Sequence, residues 1–432
     1  MRYFSKFLVA LVIFTMYSTV MLADNFVEVR DGKFFIGEAR YTYAGANYWQ
    51  GMNLGSEKYG DREQLCRELD QMKSYGITNL RILAATEADS SSRYAIYPAL
   101  QTAPGVYDNE LWEGFDFLLV EMGKRDMRAV VVLSNFWTWS GGFSQYLKWA
   151  GYGAIPYPQD EGNSWSDYSQ YTMEFFKSTD CLDWYKQHLI KTVSRRNSIS
   201  GKLYAEDPTI MSWQLANEPR AVRYVDEFAQ WVESTAKLIK SLAPKQLVSL
   251  GSEGNTPNPA NEGLKAIVDN AYEEIDYITM HIWVQNWMWY TPGEGNENYQ
   301  KMISRFNQYW DDHVKVATQL KKPLVLEEYG LARDDFNYNP QHPCVERNRY
   351  YNHAYTRFVD NVNAAGAVQG VNFWGYSGES RPPRPGEYWK HGDALVADPP
   401  HELQGWYGVY DSDVSTLEVI QTQVKRLPAG KH

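Results

Sequence analysis

The chain has 432 residues, of which 44% are hydrophobic and 22% charged, and its formal net charge is −11. This length and balance fit one large globular domain and exclude a disordered or fibrous chain. The acidic surplus disfavours nucleic acids and anionic membranes as partners, because both require a basic surface, so the expected ligand is neutral or cationic. The 16 Trp and 32 Tyr exceed what a core needs, and many lie in loop-like segments, which indicates a surface for a ligand with apolar faces.

The N-terminus has the layout of an export signal. Two basic residues precede an apolar run over residues 7–22, which ends near Ala23. We therefore predict a signal peptide over residues 1–23, a mature domain over residues 24–432, and a secreted or periplasmic protein. A membrane anchor is the alternative, but the run is short and no basic flank follows it, so we expect no stable membrane insertion.

A short hairpin is predicted next, because Phe26–Val29 and Lys33–Ile36 flank the turn pair Asp31–Gly32. After it, short apolar runs that end in polar residues alternate with amphipathic stretches. The predicted strands are Tyr43–Asn47, Asn79–Leu83, Ala129–Asn135, Ile210–Ala216, Leu247–Gly251, Tyr277–Ile282, Leu324–Glu328 and Val371–Trp374. The predicted helices include Arg62–Tyr75, Leu111–Arg125, Cys181–Arg195, Val225–Leu242 and Arg347–Ala365.

Roughly eight strand–helix units are the number that a closed (β/α)8 barrel requires. We therefore predict an α/β fold with a single barrel domain, long βα loops and the hairpin capping the bottom of the barrel. A doubly wound sheet is the structural alternative, but it usually has a glycine-rich phosphate turn after its first strand, and the sequence has none. Cys66, Cys181 and Cys344 allow at most one internal disulfide, and their spacing does not match a metal site. We expect a monomer with no metal and no cofactor.

The ends of the predicted strands hold the candidate site residues, because such a barrel builds its active site at the C-terminal ends of its strands. These residues are Trp49, Arg81, Asn135, Trp137, Asn217, Glu218, Glu253, His281, Trp283, Glu327, Glu328 and Trp374. Charged groups, amides and Trp rings that converge in this way predict a polar cleft with aromatic walls.

Two carboxylates on different strands are the minimum for hydrolysis of a glycosidic bond, in which one donates a proton and the other attacks the anomeric carbon. Glu218 and Glu328 are the candidate pair. Glu218 precedes Pro219, which ends the strand, although a carboxylate here could instead cap the following helix. Glu328 follows Glu327, and strand alternation points only one of the two into the barrel mouth.

Three neighbours could tune or contact the reacting groups. Arg81 is expected to lower the pKa of the nucleophile and keep it ionised while the acid stays protonated. His281 could hydrogen-bond the nucleophile or the ligand, although a single histidine is more often structural. Trp374 could form a platform beneath the ligand ring, although a single Trp on a strand usually belongs to the core.

Five segments at the predicted strand ends form a recognisable set: Asn79–Leu83, Leu215–Arg220, Met280–Trp283, Lys322–Gly330 and Phe373–Trp374. In these segments the chain resembles glycoside hydrolase family 5, and within it the β-mannanase branch. The resemblance covers nearly the whole chain after the leader. It implies a retaining enzyme with Glu218 as acid/base and Glu328, rather than Glu327, as nucleophile. Sugar-binding roles are implied for Arg81, Asn217, His281 and Trp374, and a cis peptide bond is implied after Trp374.

Further segments favour the mannanase branch over the cellulases. They are Gly141–Gly142, Gln145–Tyr146, Trp149–Gly151, Arg220, Asp398–Glu402 and Gln404–Trp406. By resemblance, Arg220 and Glu253 contact sugars on the leaving-group side, and Trp49 contacts those beyond the cleavage point. Two positions depart from the family pattern. Trp283 stands where many relatives have a Tyr whose phenol can hydrogen-bond the nucleophile, and Asn135 stands where many cellulases have a histidine.

Together with the predicted signal peptide, the resemblance implies a secreted retaining endo-β-1,4-mannanase that hydrolyses mannan, glucomannan or galactomannan. The alternatives are a related β-glycosidase, either an endo-β-1,4-glucanase or an exo-β-mannosidase, because mannose and glucose differ in the orientation of one hydroxyl. A non-catalytic glycan-binding barrel is a further alternative. It would require the loss of Glu218 or Glu328, and both are present.

Overall fold

The structure is a computed structural model that describes residues 25–428 and residue 430. The predicted signal peptide over residues 1–23 lies outside the described residues. Within the part of the chain that is described, no helix is both long enough and apolar enough to cross a membrane.

Eight parallel strands form a nearly closed barrel, as predicted. They are β1 (Tyr43–Asn47), β2 (Ile77–Leu83), β3 (Arg128–Val132), β4 (Ile210–Gln214), β5 (Leu247–Ser249), β6 (Ile278–Ile282), β7 (Leu324–Tyr329) and β8 (Val368–Phe373). Neighbours pair in the order β5-β4-β3-β2-β1-β8-β7-β6. Every residue of these strands is buried, because helices and loops cover the outside while side chains fill the inside.

Single hydrogen bonds join β5 to β6, where the strand ladder ends. The backbone N–H of Asp276 donates to the carbonyl of Val248 over 2.8 Å, and that of His281 donates to the carbonyl of Glu253 over 2.9 Å. These bonds close the barrel and bring the ends of β5 and β6 side by side at its mouth.

Helices surround the barrel. They are α1 (Arg62–Ser74), α2 (Asn109–Lys124), α3 (Thr179–Val193), α4 (Val225–Leu242), α5 (Asn296–Leu320), α6 (Val345–Asn363) and α7 (Val414–Val424). Shorter helices span Gly51–Gly55, Gly142–Trp149, Trp165–Met173, Pro259–Glu262 and Ala266–Asp269, with 3₁₀ turns at Thr138–Ser140, Glu174–Lys177, Tyr204–Glu206 and Asp334–Phe336. The side chains of Asp61, Asp108 and Ser178 cap α1, α2 and α3 by accepting backbone N–H bonds. All five predicted helices are present.

The N-terminal hairpin is also present. Its strands Val27–Arg30 and Lys33–Ile36 pair antiparallel, and a third short strand, Ala39–Arg40, follows. Asp31 (φ 50°) and Gly32 (φ 67°) supply the two left-handed residues that a tight hairpin turn requires.

An apolar cluster joins the hairpin to the bottom of the barrel. It consists of Val27, Phe34, Ile36, Tyr41, Tyr43, Met211, Leu247, Tyr277 and Val325. Phe34 is fully buried and packs edge-on against Tyr277, with ring centroids 5.4 Å apart. The hairpin therefore caps the barrel bottom through apolar contacts, as predicted.

Two of the loops that follow barrel strands are long. The first, between β3 and α3, holds the short helices Gly142–Trp149 and Trp165–Met173. The second follows β8, and its flanking segments Tyr376–Gly378 and Val409–Tyr410 pair as two short strands. A similar pair of short strands, Gln101–Ala103 and Val106–Tyr107, follows β2. The three cysteines are all free thiols. Long loops of this kind in compact domains are usually functional.

Candidate active site

A cavity of about 1060 Å³ opens at the C-terminal ends of the strands. The predicted site residues that line it are Trp137, Asn217, Glu218, Arg220, Glu253, Trp283, Glu328 and Trp374. Arg81 and His281 lie buried beneath it, in contact with the two candidate carboxylates. The volume is at the upper end of the range for small-molecule sites, which leaves room for a ligand of more than one ring.

Glu218 and Glu328 meet at one histidine. Nδ1 of His281 donates to Oε1 of Glu218 over 2.5 Å and lies 3.4 Å from Oε2 of Glu328. One oxygen of each carboxylate and a ring nitrogen of His281 all lie within 4.8 Å of one another. This spacing brings the two carboxyls close enough to act on opposite sides of a single bond.

The backbone at Glu218 adopts an unusual conformation. Its φ of 49° lies in the left-handed region, which residues other than glycine rarely occupy. The N–H of Glu218 donates to the carbonyl of Gly251 over 2.9 Å, which ties the end of β4 to the end of β5. Such a conformation persists only where the surrounding structure imposes it, and residues that adopt it cluster at functional sites.

Trp137 fixes the second oxygen of Glu218. Its indole Nε1 donates to Oε2 of Glu218 over 2.5 Å. Asn135 holds Trp137 in place, because Oδ1 of Asn135 accepts the backbone N–H of Trp137 over 2.9 Å and Nδ2 of Asn217 over 3.0 Å. Asn135 therefore positions its neighbours and does not itself line the cavity.

Arg81 lies at the centre of the polar network beneath the cavity. It is 3% exposed, and it donates to Oε1 of Glu328 and, over 2.7 Å, to Oδ1 of Asn217. Further bonds go to Oε1 of Gln214 over 2.9 Å and to Oδ1 of Asn47 over 3.1 Å. Each acceptor lies on or just after a barrel strand, so the guanidinium has a fixed orientation.

The adjacent glutamates of β7 occupy different environments. Glu327 is fully buried below the cavity, where it accepts from Nε2 of Gln214 over 2.8 and 3.0 Å. Glu328 lines the cavity, and its Oε2 accepts from the indole Nε1 of Trp283 over 3.2 Å. Many relatives have a Tyr at this position whose phenol can hydrogen-bond the nucleophile. Here the indole N–H of Trp283 makes that hydrogen bond instead.

Three buried carboxylates and two cations share this small volume. Burial and the charges of Glu218 and Glu327 raise the pKa of Glu328 to about 7, although His281 and Arg81 favour the ionised form. Burial also raises the pKa of Glu218, but the hydrogen bond and charge of His281 outweigh it, so that pKa lies below its ordinary value. Burial lowers the pKa of His281, but the charge of Glu328 and the bonds to Glu218 and Glu327 raise it to about 9.

These directions correct the expectation that Arg81 keeps the pKa of Glu328 low. The guanidinium does favour the ionised form, but two further carboxylates act on the same group, and the sequence motifs did not show how close they lie. The proton on Nδ1 of His281 lies in a 2.5 Å bond to Glu218, so the two groups hold it together. Transfer across that bond gives a neutral Glu218 that can protonate a leaving group while Glu328 is ionised.

Arg220 links Glu218 to two further acidic side chains in the cavity wall. Its guanidinium forms ion pairs with Glu253 and Glu262 and lies 3.8 Å from Oε2 of Glu218. It also stacks over the ring of Trp137 at 4.7 Å. Glu262 was not predicted, because it lies on the short helix after β5 and not at a strand end.

Aromatic rings form a further part of the cavity wall. Trp49 is 3% exposed, its indole N–H donates to the carbonyl of Ala397 over 2.9 Å, and its ring packs against Trp139 at 5.7 Å. Trp49 does not line the cavity, so this arrangement lacks the ligand contact expected of it. Trp374 does line the cavity, and the Trp374–Gly375 bond is cis, as predicted.

Other lining residues had no predicted role. They include Trp139, Trp165, Glu262, Trp287, Tyr388, His401, Glu402 and Trp406. Burial, and then the charges of Asp398, Glu328 and Glu218, hold the pKa of Glu402 well above its ordinary value. Most of these residues lie in long loops, where the sequence identifies an aromatic-rich segment but not which side chains face inward.

Comparison with known proteins decides the family. Residues 24–431 match a family model described as glycoside hydrolase family 5, β-mannosidase-like. The chain belongs to this family. The chain is similar to the crystal structure of a glycoside hydrolase family 5 mannosidase from Rhizomucor miehei. The TM-score is 0.86 and the sequence identity 35%, over 94% of this chain and 98% of the mannosidase. The predicted family and barrel fold are confirmed, and the protein is a glycoside hydrolase.

Two further relatives extend the comparison. A glutamate-to-alanine variant of the Rhizomucor miehei mannosidase, in complex with mannosyl-fructose, matches with a TM-score of 0.85 and 35% identity over 94% of this chain and 97% of that one. Mannan endo-1,4-β-mannosidase 5 of Solanum lycopersicum is 28% identical over 84% of this chain and 86% of its own length. The likeness to each spans almost the whole barrel domain.

Proposed function

We propose that this family 5 enzyme is a secreted, retaining endo-β-1,4-mannanase that hydrolyses internal mannosidic bonds by double displacement. The observation that carries the proposal is the meeting of Glu218 and Glu328 at His281, with one atom of each within 4.8 Å of the others. Retaining enzymes place their two carboxyls about 5–5.5 Å apart, whereas inverting enzymes need about 6.5–9.5 Å to admit a water.

The first step transfers the sugar to the enzyme. Glu328 attacks the anomeric carbon while Glu218 protonates the departing glycosidic oxygen, so one C–O bond forms as the other breaks. The proton comes from the hydrogen bond between His281 and Glu218. Arg81 and Trp283 hold the two oxygens of Glu328, which fixes the angle of attack.

The second step releases the sugar. A water enters the space that the leaving group vacates, and Glu218 removes a proton from it as it attacks the anomeric carbon. The bond to Glu328 breaks, and the carboxylate leaves with its electron pair. The positive charge of Arg81, which already contacts Oε1 of Glu328, stabilises that carboxylate as it forms.

The relatives support β-mannosides as the substrate class. The Rhizomucor miehei enzyme is a mannosidase that was solved with mannosyl-fructose, and the Solanum lycopersicum relative is named for endo-cleavage of mannan. On the side of Arg220, the half-exposed Trp165 and the lining residue Trp287 offer aromatic faces for further sugars. A chain of neutral sugars can therefore extend in that direction.

Exo-β-mannosidase action is a second candidate, which the packed aromatic wall around Trp374 favours. The indole N–H of Trp49 donates a hydrogen bond to the carbonyl of Ala397, and the rings of Trp139 and Trp374 pack edge to face with centroids 5.8 Å apart in the same cluster. If this wall stays in place during turnover, the substrate can extend only toward Arg220, and the enzyme releases single mannose units.

Product sizing from mannohexaose separates the two candidates. Endo-cleavage gives mannobiose, mannotriose and mannotetraose at early times, whereas exo-cleavage gives mannose and mannopentaose. Cellohexaose is the control for specificity toward mannose over glucose. An equal rate on cellohexaose would contradict the mannoside assignment, and no product from either oligosaccharide would contradict the hydrolase mechanism.

Export forms part of the proposal and rests on the sequence of residues 1–23. Expression in a secreting host with this leader should deliver protein whose N-terminus begins near residue 24. A matched chain that starts at residue 24 should stay inside the cells. Protein retained in the cells with residues 1–23 still attached would contradict export.

A further inference from the structure

Glu262 reaches the catalytic cavity from a loop and not from a strand end. It is the last residue of the short helix Pro259–Glu262, which lies between β5 and β6, and its side chain is 40% exposed. The residue lines the cavity, and its carboxylate forms an ion pair with the guanidinium of Arg220. No step of the proposed reaction uses this side chain, so its place in the wall has a separate reason.

The backbone at Gly263 brings Glu262 to Arg220. Gly263 ends the short helix in the left-handed region (φ 71°), and a Cβ at this position would lie 2.2 Å from the carbonyl oxygen of Ala221. Glycine permits this approach because it has no side chain. Ala221 directly follows Arg220 in the chain, so the close contact sets the end of the helix beside the guanidinium. Leu264, which is 1% exposed, anchors the chain after Gly263.

Arg220 is held at a distance from the acid/base. Its guanidinium forms ion pairs with Glu253 and Glu262. It also stacks over the ring of Trp137 at 4.7 Å and lies 3.8 Å from Oε2 of Glu218. A charge-assisted N–H···O bond is about 2.7–2.9 Å long, so 3.8 Å is too far for a direct bond. The same oxygen of Glu218 accepts instead from the indole N–H of Trp137 over 2.5 Å.

Two negative charges face one positive charge in this part of the wall. Arg220 and Glu253 balance each other, so Glu262 adds an excess negative charge. Burial raises the pKa of Glu218, whereas the hydrogen bond and charge of His281, and then the charge of Arg220, lower it. A negative charge next to Arg220 offsets part of its effect and favours a proton on the acid. A guanidinium without this partner would be free to pair with Glu218 and hold it ionised.

Other titratable groups face Glu218 from several elements around it. They are Arg81 on β2, His281 on β6, Tyr309 on α5, Glu328 on β7, and His401 and Glu402 in the loop after β8. Within residues 25–428, none of these six forms an ion pair with Arg220. Glu262 therefore acts on the acid by a route that none of them shares.

We propose that Glu262 is a positioning residue for the acid/base. It holds the guanidinium of Arg220 against Trp137 and shares its charge, which keeps Arg220 from pairing directly with Glu218. The proton that His281 and Glu218 hold together then stays available to the leaving group. The proposal rests on the proposed function in one respect, which is the assignment of Glu218 as the acid/base.

Leaving-group dependence is the first test. Glu262→Gln removes the charge and keeps the shape of the side chain. For aryl β-mannosides, kcat/KM should then depend more steeply on the acidity of the leaving group than in wild type, because poor leaving groups need the proton and good ones do not. On phenyl β-mannoside we expect a loss of about tenfold, less than the roughly 10²–10⁴-fold that loss of a general acid costs.

Two variants serve as controls for this test. Glu262→Asp keeps the charge, so it should lose less activity on the phenyl mannoside than Glu262→Gln. Glu273→Gln removes an exposed charge from the same stretch between β5 and β6, at a residue that does not line the cavity. It should retain the leaving-group dependence of wild type.

Titration of the resting enzyme is the second test, and it needs no substrate. Because Nδ1 of His281 shares its proton with Glu218, ¹⁵N NMR of labelled histidine should report the titration of the pair. Glu262→Gln should lower the pKa of His281, by about half a pH unit, because solvent screens the partly exposed charge that is removed. The signal of His281 is identified by its absence in His281→Asn.

The outcomes separate failure of this proposal from failure of the proposed function. An unmoved titration in Glu262→Gln, or a leaving-group dependence equal to that of wild type, would overturn the role of Glu262. A rise in KM alone would overturn it too, because Glu262 would then be a sugar contact. If the titration moves but the wild-type chain hydrolyses no mannoside, the charge arrangement around Arg220 is supported and the proposed function fails.

Discussion

The two ends of the barrel are built on the same eight strands but with opposite chemistry. At the bottom, Phe34 of the hairpin packs against Tyr277 within an apolar cluster. At the mouth, Arg81, His281 and Glu328 are just as deeply buried, but they are charged. Burying apolar groups stabilises the fold, whereas burying charges costs free energy that only their mutual contacts offset. The comparison indicates that the bottom serves stability and the mouth serves chemistry.

The largest expected effect is at the mouth. Glu328→Ala removes the nucleophile, so kcat should fall by at least about 10⁴-fold while the chain stays folded. Azide should restore turnover of an aryl β-mannoside by entering the space that the side chain vacates. The measurement is initial rates with and without azide, with circular dichroism as the control for folding. Near-normal activity without azide would reject the assignment.

Glu218→Ala should separate the two steps of the reaction. Loss of the acid should lower kcat on mannan by about 10²–10⁴-fold. An aryl mannoside with a good leaving group should still react in the first step, because its departure needs no proton. Rapid mixing should then show a burst of released aglycone followed by slow turnover. A slow release without a burst would count against Glu218 as the acid/base.

Phe34→Ala should produce the reverse pattern at the bottom. Loss of a fully buried aromatic ring should lower the free energy of unfolding by about 3–5 kcal/mol, with kcat unchanged. Phe35 is the matched control, because it lies on the opposite face of the same strand, partly exposed under Arg30. Phe35→Ala should cost less. A large loss of kcat in Phe34→Ala below its melting temperature would break the division between the two ends.

Much of the fold followed from the sequence, because apolar runs and amphipathic stretches report burial directly. The runs that predict β1 to β8 are short and largely apolar, and every residue of the observed strands is buried. The region after β5 was harder to predict. Only the short helices Pro259–Glu262 and Ala266–Asp269 stand there, and neither is long enough to show a period of its own.

The candidate site was predictable where strands position its residues. Strand ends identified Glu218 and the pair Glu327 and Glu328, because parallel strands deliver their last residues to one mouth, and the family resemblance then selected Glu328 over Glu327. Loop conformation was not predictable in the same way. The bond from Trp49 to Ala397 joins residues 348 positions apart and removes Trp49 from the cavity wall. Charge crowding around Glu328 depends on distances between strands, which no single motif encodes.

Trp283→Phe tests a smaller feature of the mouth. The change keeps an aromatic ring but removes the indole N–H that donates to Oε2 of Glu328 over 3.2 Å. Loss of one hydrogen bond to a charged group should lower kcat by about tenfold and raise the pKa of Glu328. Trp283→Tyr is the matched control, because a phenol can donate in its place and should retain more activity. Equal kcat in wild type and Trp283→Phe would show that the bond is not used.

The smallest expected effect is a shift along the pH axis. The ionised form of Glu328 attacks, so kcat/KM should rise with pH through an apparent pKa near 7, and it should fall near 9 as the proton shared by His281 and Glu218 is lost.

Glu327→Gln sharpens this test, because the charge of Glu327 raises the pKa of Glu328 and the hydrogen bond of its carboxylate raises the pKa of His281. Its removal should therefore move both limbs of the profile toward acid, by about one pH unit. Glu297→Gln changes an exposed glutamate on α5 and should leave the profile unmoved. If Glu327→Gln also leaves both limbs in place, charge crowding among the buried carboxylates is not what sets the pKa of Glu328, and the chemical contrast between the two ends of the barrel has another origin.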